Sequence, residues 1–221
     1  MELQAIIYQD RIQAAEHLAR ELQPDIGNSR QDTIILAIPR GGVIIGDVIA
    51  TVFGIKLDIV VSRKIGAPYN PEFAIGAVMP DGRYFITMTN EFNVSRKYIE
   101  QETKVQLKEI NRRLISYRGT ADYNKEFQDK TVVLVDDGIA TGSTLMASAT
   151  WIRNNFNCKK LLIAVPVAPT EVLNELVEFA DKLVIPYTPD PFIAIGRFYG
   201  IFDQVGDDEV KKIMKKYGYK I

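Results

Sequence analysis

Hydrophobic positions along the chain follow two alternating rhythms. Short continuous apolar runs, TIILAI (Thr33 to Ile38), LDIVVS (Leu57 to Ser62), TVVLVD from Thr131, KLLIAVPV and KLVIPY, have the length and β-branched content of buried strands. Between them lie segments with apolar residues three and four apart. GGVIIGDVIATVFG is closed by Gly54, Ser143 to Phe156 carries Leu145, Ala149, Ile152 and Phe156 on one side, and TEVLNELVEFA follows later. The longest such pattern runs from Val94 to Arg118, with Ile99, Thr103, Leu107, Ile110, Leu114 and Tyr117 along one face. Continuous rather than alternating strands, each followed by a helix, predict an α/β fold with a mostly parallel sheet covered on both faces. One interruption is local: AIGAVMP (Ala74 to Pro80) and RYFITM (Arg83 to Met88) flank Asp81-Gly82, a hairpin turn pair. With no repeat, low-complexity run or Ser/Gly linker, the expectation is a single domain over residues 1–221. It has an amphipathic helix at about 9–22, a tail from about 186 to 221, and a C-terminal helix from Asp207 to Tyr217.

Composition changes this picture little. Apolar residues make up 47% and charged residues 25%, with a formal net charge of −1, so nothing demands nucleic acid as a partner. The N-terminus, MELQAIIYQDRIQAAEHLAR, has no apolar core of a signal peptide, and no apolar run reaches membrane-span length. The single Cys158 allows no internal disulfide. A cytoplasmic protein with no membrane partner is the expectation.

Chemistry enters at VVLVDDGIATGST (Val132 to Thr144). Ligands of parallel sheets sit at the carboxyl ends of strands, which is where Asp136 and Asp137 fall. Gly138, Ile139, Ala140, Thr141, Gly142, Ser143 and Thr144 make the turn into the next helix. Small residues let backbone N–H groups converge, hydroxyls add donors, and a helix N-terminus favours an anion, so the turn suits a phosphate. It is no Walker loop, since Gly-Lys-Ser/Thr occurs nowhere in the chain. Two carboxylates beside a phosphate need another partner, and vicinal sugar hydroxyls fit as donors to them. The pattern asks for a sugar phosphate.

The same stretch closely resembles the 5-phosphoribosyl-1-pyrophosphate (PRPP) motif of the type I phosphoribosyltransferases. The resemblance implies that family's fold, with a small hood and a flexible loop, and a reaction in which an acceptor, usually a ring nitrogen, displaces pyrophosphate from C1 of PRPP. Asp136 and Asp137 would hold the ribose hydroxyls, and Gly138 to Thr144 the 5′-phosphate. IPRGGVIIG stands where the family places its pyrophosphate loop, which makes Arg40 and Gly41 the pyrophosphate-binding candidates. SRKIGAPYNPEFAIGAV stands near the family's flexible loop. There Arg63 and Lys64 would neutralise the leaving group, Glu72 is the nearest spare carboxylate, and Pro68, Asn70 and Pro71 suit a loop that changes shape.

The resemblance further implies Mg²⁺ carried by PRPP with no direct protein ligand, a small-molecule acceptor and a homodimer. Tyr187, Phe192, Phe198, Tyr199 and Phe202 near the C-terminus serve equally as a stacking wall for a flat base or as core. His17, the only histidine, is expected on an exposed helix away from the chemistry. Members acting on 6-oxopurines commonly carry an Asp just before the Thr-Gly. Ala140 occupies that position here, which argues against such an acceptor. The alternative is a non-catalytic regulator that binds PRPP or a nucleotide on the same fold, and the basic residues Arg40, Arg63 and Lys64 favour the enzyme.

Overall fold

The computed structural model describes residues 6–87, 94–123 and 127–221, and at position 72 the backbone alone. Helix α1 (Arg11–Ile26) leads into strand β1 (Thr33–Ala37), helix α2 (Gly41–Phe53) and strand β2 (Lys56–Ile59). Three further strands, β3 (Arg63–Ala67), β4 (Asn70–Val78) and β5 (Tyr84–Ile86), precede the long helix α3 (Arg96–Arg118). Then come β6 (Thr131–Val135), α4 (Ser143–Asn155), β7 (Lys160–Ala164), α5 (Thr170–Leu176) and β8 (Lys182–Val184). A 3-10 turn at Ile195–Phe198 and helix α6 (Asp207–Lys216) complete the described elements.

The main sheet has the order β2-β1-β6-β7-β8, and each of its strand pairs is parallel. Both faces are covered, as continuous apolar strands require. Ile35, Ala37, Val133, Val135 and Leu162 pack with α1, α2 and α6, while Ile34, Leu36, Val132, Leu134 and Leu161 pack with α4. This is the period of two expected of a strand, with both faces buried. Helices α2 and α4 therefore leave opposite faces from the neighbouring strands β1 and β6. The loops behind those two strands diverge and open a crevice at the carboxyl edge, the switch point where such sheets bind ligands.

Helix ends follow local chemistry. The Asp10 carboxylate caps α1 by accepting the Gln13 N–H at 2.9 Å. Ser95 caps α3 by accepting the Tyr98 N–H at 3.2 Å, and Gly54, at φ +66°, closes α2 in the left-handed conformation. Helix α1 runs past the expected Leu22 to Ile26, with Pro24 in its last turn and Ile26 fully buried.

Two expectations need correction. The run LDIVVS does not remain a strand to Ser62: β2 ends at Ile59, and beyond it Val60 N–H still reaches the Ala37 carbonyl at 2.9 Å before the chain turns into β3. The segment around Arg63 to Val78 is not a loop but the antiparallel pair β3–β4, with β5 added to make a three-stranded sheet. Pro71 is tolerated in β4 because the β3–β4 register is broken by irregularities around it and β5 pairs only from Gly76 onward. Of the run RYFITM, Met88 lies outside the described residues. The small sheet is tied to α4 through Ser62, whose hydroxyl donates to the Thr144 carbonyl at 3.1 Å and lies 2.8 Å from Ser148 Oγ.

Candidate functional site

The loop after β6 is shaped by contact on both sides. Gly138 lies so close to the 3-10 turn that an added Cβ would stand 2.6 Å from Ile195 Cγ2. Ile139 turns its side chain into the core and gives its N–H to the Val167 carbonyl at 2.9 Å. Gly142, at φ +74°, is the N-cap of α4, a conformation that glycine adopts without steric cost. Ser143 opens the helix. Its hydroxyl lies 3.4 Å from Thr141 Oγ1 and 3.4 Å from Thr87 Oγ1. Hydroxyls thus gather where the first amides of α4 have no intrahelical acceptor, which makes an anion cradle.

A cavity of about 370 Å³ opens over this cradle. Asp136, Ala140, Thr141, Ser143 and Thr144 form one side. Ile38 and Pro39 after β1, and Ser62, Arg63, Lys64 and Ala74 around β3 and β4, form another, and Arg113 reaches in from α3. The cations are anchored from behind. Arg63 Nε donates to the Gln106 side-chain carbonyl at 2.9 Å, and Arg113 Nε donates to Glu109 at 2.8 Å. Glu109 also takes both Arg112 contacts, at 2.7 and 2.9 Å, and the paired guanidiniums pull its carboxyl down to about 2. One carboxylate thus serves two arginines, while Arg63 rests on a neutral amide. Burial, and then the charge of Arg113, push Arg63 below its ordinary range, although it remains a cation. The cavity is therefore cationic toward β3 and α3, and acidic at Asp136.

The acidic pair is asymmetric. Asp136 faces the cavity and accepts the Asp137 N–H at 2.8 Å through its own Oδ1. Burial pushes its carboxyl well above the ordinary carboxylate range, and the Asp137 charge adds to the rise. Asp137 turns instead to Arg11 of α1, whose Nε donates to Oδ2 at 2.8 Å. Burial raises Asp137 as well, and the Arg11 guanidinium works against that rise. Gly41 lies against the same carboxylate, where a Cβ would collide with it. Arg40, joined to Pro39 by a cis peptide, places Nη1 3.3 Å from Asp207 at the start of α6. Asp207 also accepts the Tyr117 hydroxyl at 2.6 Å, and it is this bond foremost that holds its carboxyl below the usual range.

Of the residues singled out in the sequence, Arg63, Lys64, Asp136, Ala140, Thr141, Ser143 and Thr144 come together around the cavity. Gly138, Ile139, Gly142 and Gly41 shape its walls from behind, whereas Asp137 and Arg40 are engaged with protein partners. The Glu72 side chain lies outside the described residues. Sequence reading missed Arg11, Thr87, Arg113 and Asp207. Arg113 had a signal available, a charge one residue before Leu114 on the apolar side of a predicted helix.

Of the tail aromatics, Phe198 and Tyr199 are buried, Phe192 and Phe202 are half-buried, and Tyr187 is exposed. Phe198 is fully buried, Phe202 lies 4.9 Å from the Tyr199 ring, and the Tyr199 hydroxyl donates to the Asp137 carbonyl at 2.7 Å. His17 is not freely exposed: it shares a 3.1 Å hydrogen bond with the Tyr8 hydroxyl and meets the Tyr187 ring edge-on. Among the described residues no group of three or more His, Cys, Asp or Glu could hold a metal ion.

Residues 4–182 match the phosphoribosyl transferase domain family. A Mycobacterium tuberculosis (H37Rv) protein whose name assigns it provisionally as a phosphoribosyl transferase is 33% identical over 209 residues, covering 92% of this chain. The match takes in 45% of that protein, so the chain spans about half the length of its curated relative. The crystal structure of TT1426 from Thermus thermophilus is similar with a TM-score of 0.78 at 33% identity, over 95% of this chain and 98% of that one. The AQ2163 protein of Aquifex aeolicus, at 12% identity and a TM-score of 0.51 over 86% of each chain, shares the fold.

Proposed function

The chain belongs to the phosphoribosyl transferase domain family, and from that membership we propose that it transfers the 5-phosphoribosyl group of PRPP to a nitrogenous acceptor, releasing pyrophosphate. The observation that carries the reading is one cavity in which a hydroxyl-lined helix N-terminus, a carboxylate and the cations Arg63, Lys64 and Arg113 converge. In this reading the cradle from Gly138 to Thr144 holds the 5′-phosphate, and Asp136 accepts hydrogen bonds from ribose hydroxyls. The cations at the other end, with the Arg40-Gly41 turn beside them, face the diphosphate.

Breaking the C1–O bond leaves positive charge on the ribose and negative charge on the departing diphosphate. The site's fixed charges have the signs that favour this separation, and they are oriented before substrate arrives. Mg²⁺ would come with the diphosphate, balancing its charge, with water as its other ligands. Ala140 brings no carboxyl to the rim, so the acceptor proposed is a base other than a 6-oxopurine. A cytoplasmic homodimer is proposed on the family likeness; separately, no described helix is long and apolar enough to cross a membrane.

The test is a screen of purified protein with Mg²⁺-PRPP against purines, pyrimidines and small amines, reading pyrophosphate release. Release with one acceptor class is expected, and its loss when Asp136 and Asp137 are both changed to Asn. Undiminished PRPP affinity and turnover in that double variant would sink the assignment. PRPP binding without release in any mixture would instead identify a regulator.

A further inference from the structure

Of the cations assigned to the diphosphate, Arg63, Lys64 and Arg113 border the cavity, whereas Arg40 stands one residue behind its wall at Pro39. Its guanidinium is met by a carboxylate from the far end of the chain. Nη1 donates to Asp207 Oδ1 at 3.3 Å, and the two side chains are 26% and 33% exposed. The same oxygen accepts the Tyr117 hydroxyl at 2.6 Å, and Tyr117 is fully buried on α3. Asp207 is the first residue of α6, where a helix N-terminus favours its charge, and Val210 and Met214 fix that helix to the core. The carboxylate is therefore held by groups that do not involve Arg40. Asp207 Oδ2 also stands 3.6 Å from Arg112, but Arg112 has two shorter bonds to Glu109 and does not depend on it. Arg40 gives Asp207 one long bond out of the five a guanidinium can donate, which leaves donors for a phosphate. A contact made only to fasten α6 would add little to the shorter bond from Tyr117.

We infer that Asp207 and Tyr117 are positioning residues that hold the Arg40 guanidinium toward the diphosphate, so that α6 completes the leaving-group end of the site. This rests on the PRPP reading above, and adds to it a part of the chain beyond the family-domain match, which ends at residue 182. Charge and orientation pull in opposite directions here. A carboxylate near a departing anion opposes it, so its presence is useful only through what it orients. An unheld arginine gives up its rotamer freedom when it binds, whereas one already held has given it up on folding.

The experiment measures Mg²⁺-pyrophosphate and ribose 5-phosphate separately by calorimetry. It compares wild type with Arg40→Met, Asp207→Asn, Tyr117→Phe and the Arg40→Met/Asp207→Asn double variant. Asp207→Asn removes a negative charge, so a direct electrostatic effect would tighten pyrophosphate. The expected result is the opposite, a loss of about fivefold or more, with ribose 5-phosphate changed by less than about twofold. Tyr117→Phe is expected to give a smaller loss of the same kind, and it decides the matter if Asp207→Asn does not fold. In the Arg40→Met background, Asp207→Asn is expected to add nothing. A contact that merely fastens α6 would weaken both ligands alike and would act with or without Arg40. Tighter pyrophosphate binding in Asp207→Asn, equal losses of the two ligands, or an undiminished Asp207 effect in the absence of Arg40 would overturn the inference. Wild type that binds neither ligand would defeat the PRPP reading itself, and the inference with it. Wild type that binds both, beside variants that bind pyrophosphate as well, would defeat the inference alone.

Discussion

Two aspartate–arginine pairs tie distant parts of this chain together, and they are built differently. Asp58 of β2 and Arg118 at the end of α3 meet in two parallel bonds of 2.7 and 2.9 Å, with side chains only 5% and 4% exposed. Their remaining valences are closed locally. Asp58 Oδ1 accepts the Ile59 N–H, Arg118 Nη1 donates to the Thr120 and Asp122 carbonyls, and its guanidinium carbon stands 4.1 Å over the Tyr123 ring. Asp137 and Arg11 share a single contact, beside a second carboxylate that opens onto a cavity. Although the Asp58–Arg118 pair also borders a cavity of about 290 Å³, its polar groups are taken up by one another and by neighbouring backbone, which suits it to holding two elements together. An open pair with a second acid beside it, as at Asp137 and Arg11, leaves a polar group facing the site cavity, available to something that is not protein.

The largest effect expected from this contrast is at the closed pair. Asp58→Ala strands a buried guanidinium and should cost about 3–5 kcal/mol of stability, read by denaturant unfolding. The contrast breaks if that variant unfolds normally but loses PRPP binding. A sharper test lies in the pH dependence of Asp136. Its folded-state proton affinity is raised above the ordinary carboxylate value of 3.8, so the folded state binds the extra proton. Stability therefore falls as pH rises from that value through the raised one, by about 1.4 kcal/mol for each unit between them. Asp136→Asn should flatten this fall and be more stable than wild type at neutral pH while binding PRPP worse. An unchanged pH profile would deny that the acid is held at a cost. The smallest effect expected is at the cationic end. Arg113→Gln should weaken PRPP by about 1.5 kcal/mol, roughly tenfold, with little change in stability because Glu109 keeps Arg112. Calorimetry and thermal melting together check both halves.

Much of this was legible in the sequence for physical reasons. Strands buried on both faces must be continuously apolar, and the runs at Thr33, Thr131 and Lys160 were. Helix faces repeat, and Thr103, Ile110, Leu114 and Tyr117 are the buried residues of α3 expected from spacing. The acidic pair and its hydroxylated loop are contiguous, so a single stretch carried them. Pro68, Asn70 and Pro71 hid the β3–β4 hairpin, because the register irregularities that make Pro71 acceptable exist only once β3 is alongside. Arg11, Arg113 and Asp207 come from three separate helices, and no local pattern says which distant carboxylate or cavity a surface-type residue will meet.

The segment from Tyr199 to Asp207 acts on the site at several points. It touches the Asp137 carbonyl, carries Arg11 on Phe202 and the Asp203 carbonyl, and offers Asp207 to Arg40. The match to the family domain ends at residue 182, and these contacts lie beyond it. Grafting residues 4–182 alone into another scaffold would transplant the acids, the hydroxyls and the cations, yet leave Arg40 without Asp207 and Arg11 with Asp137 but without its tail contacts.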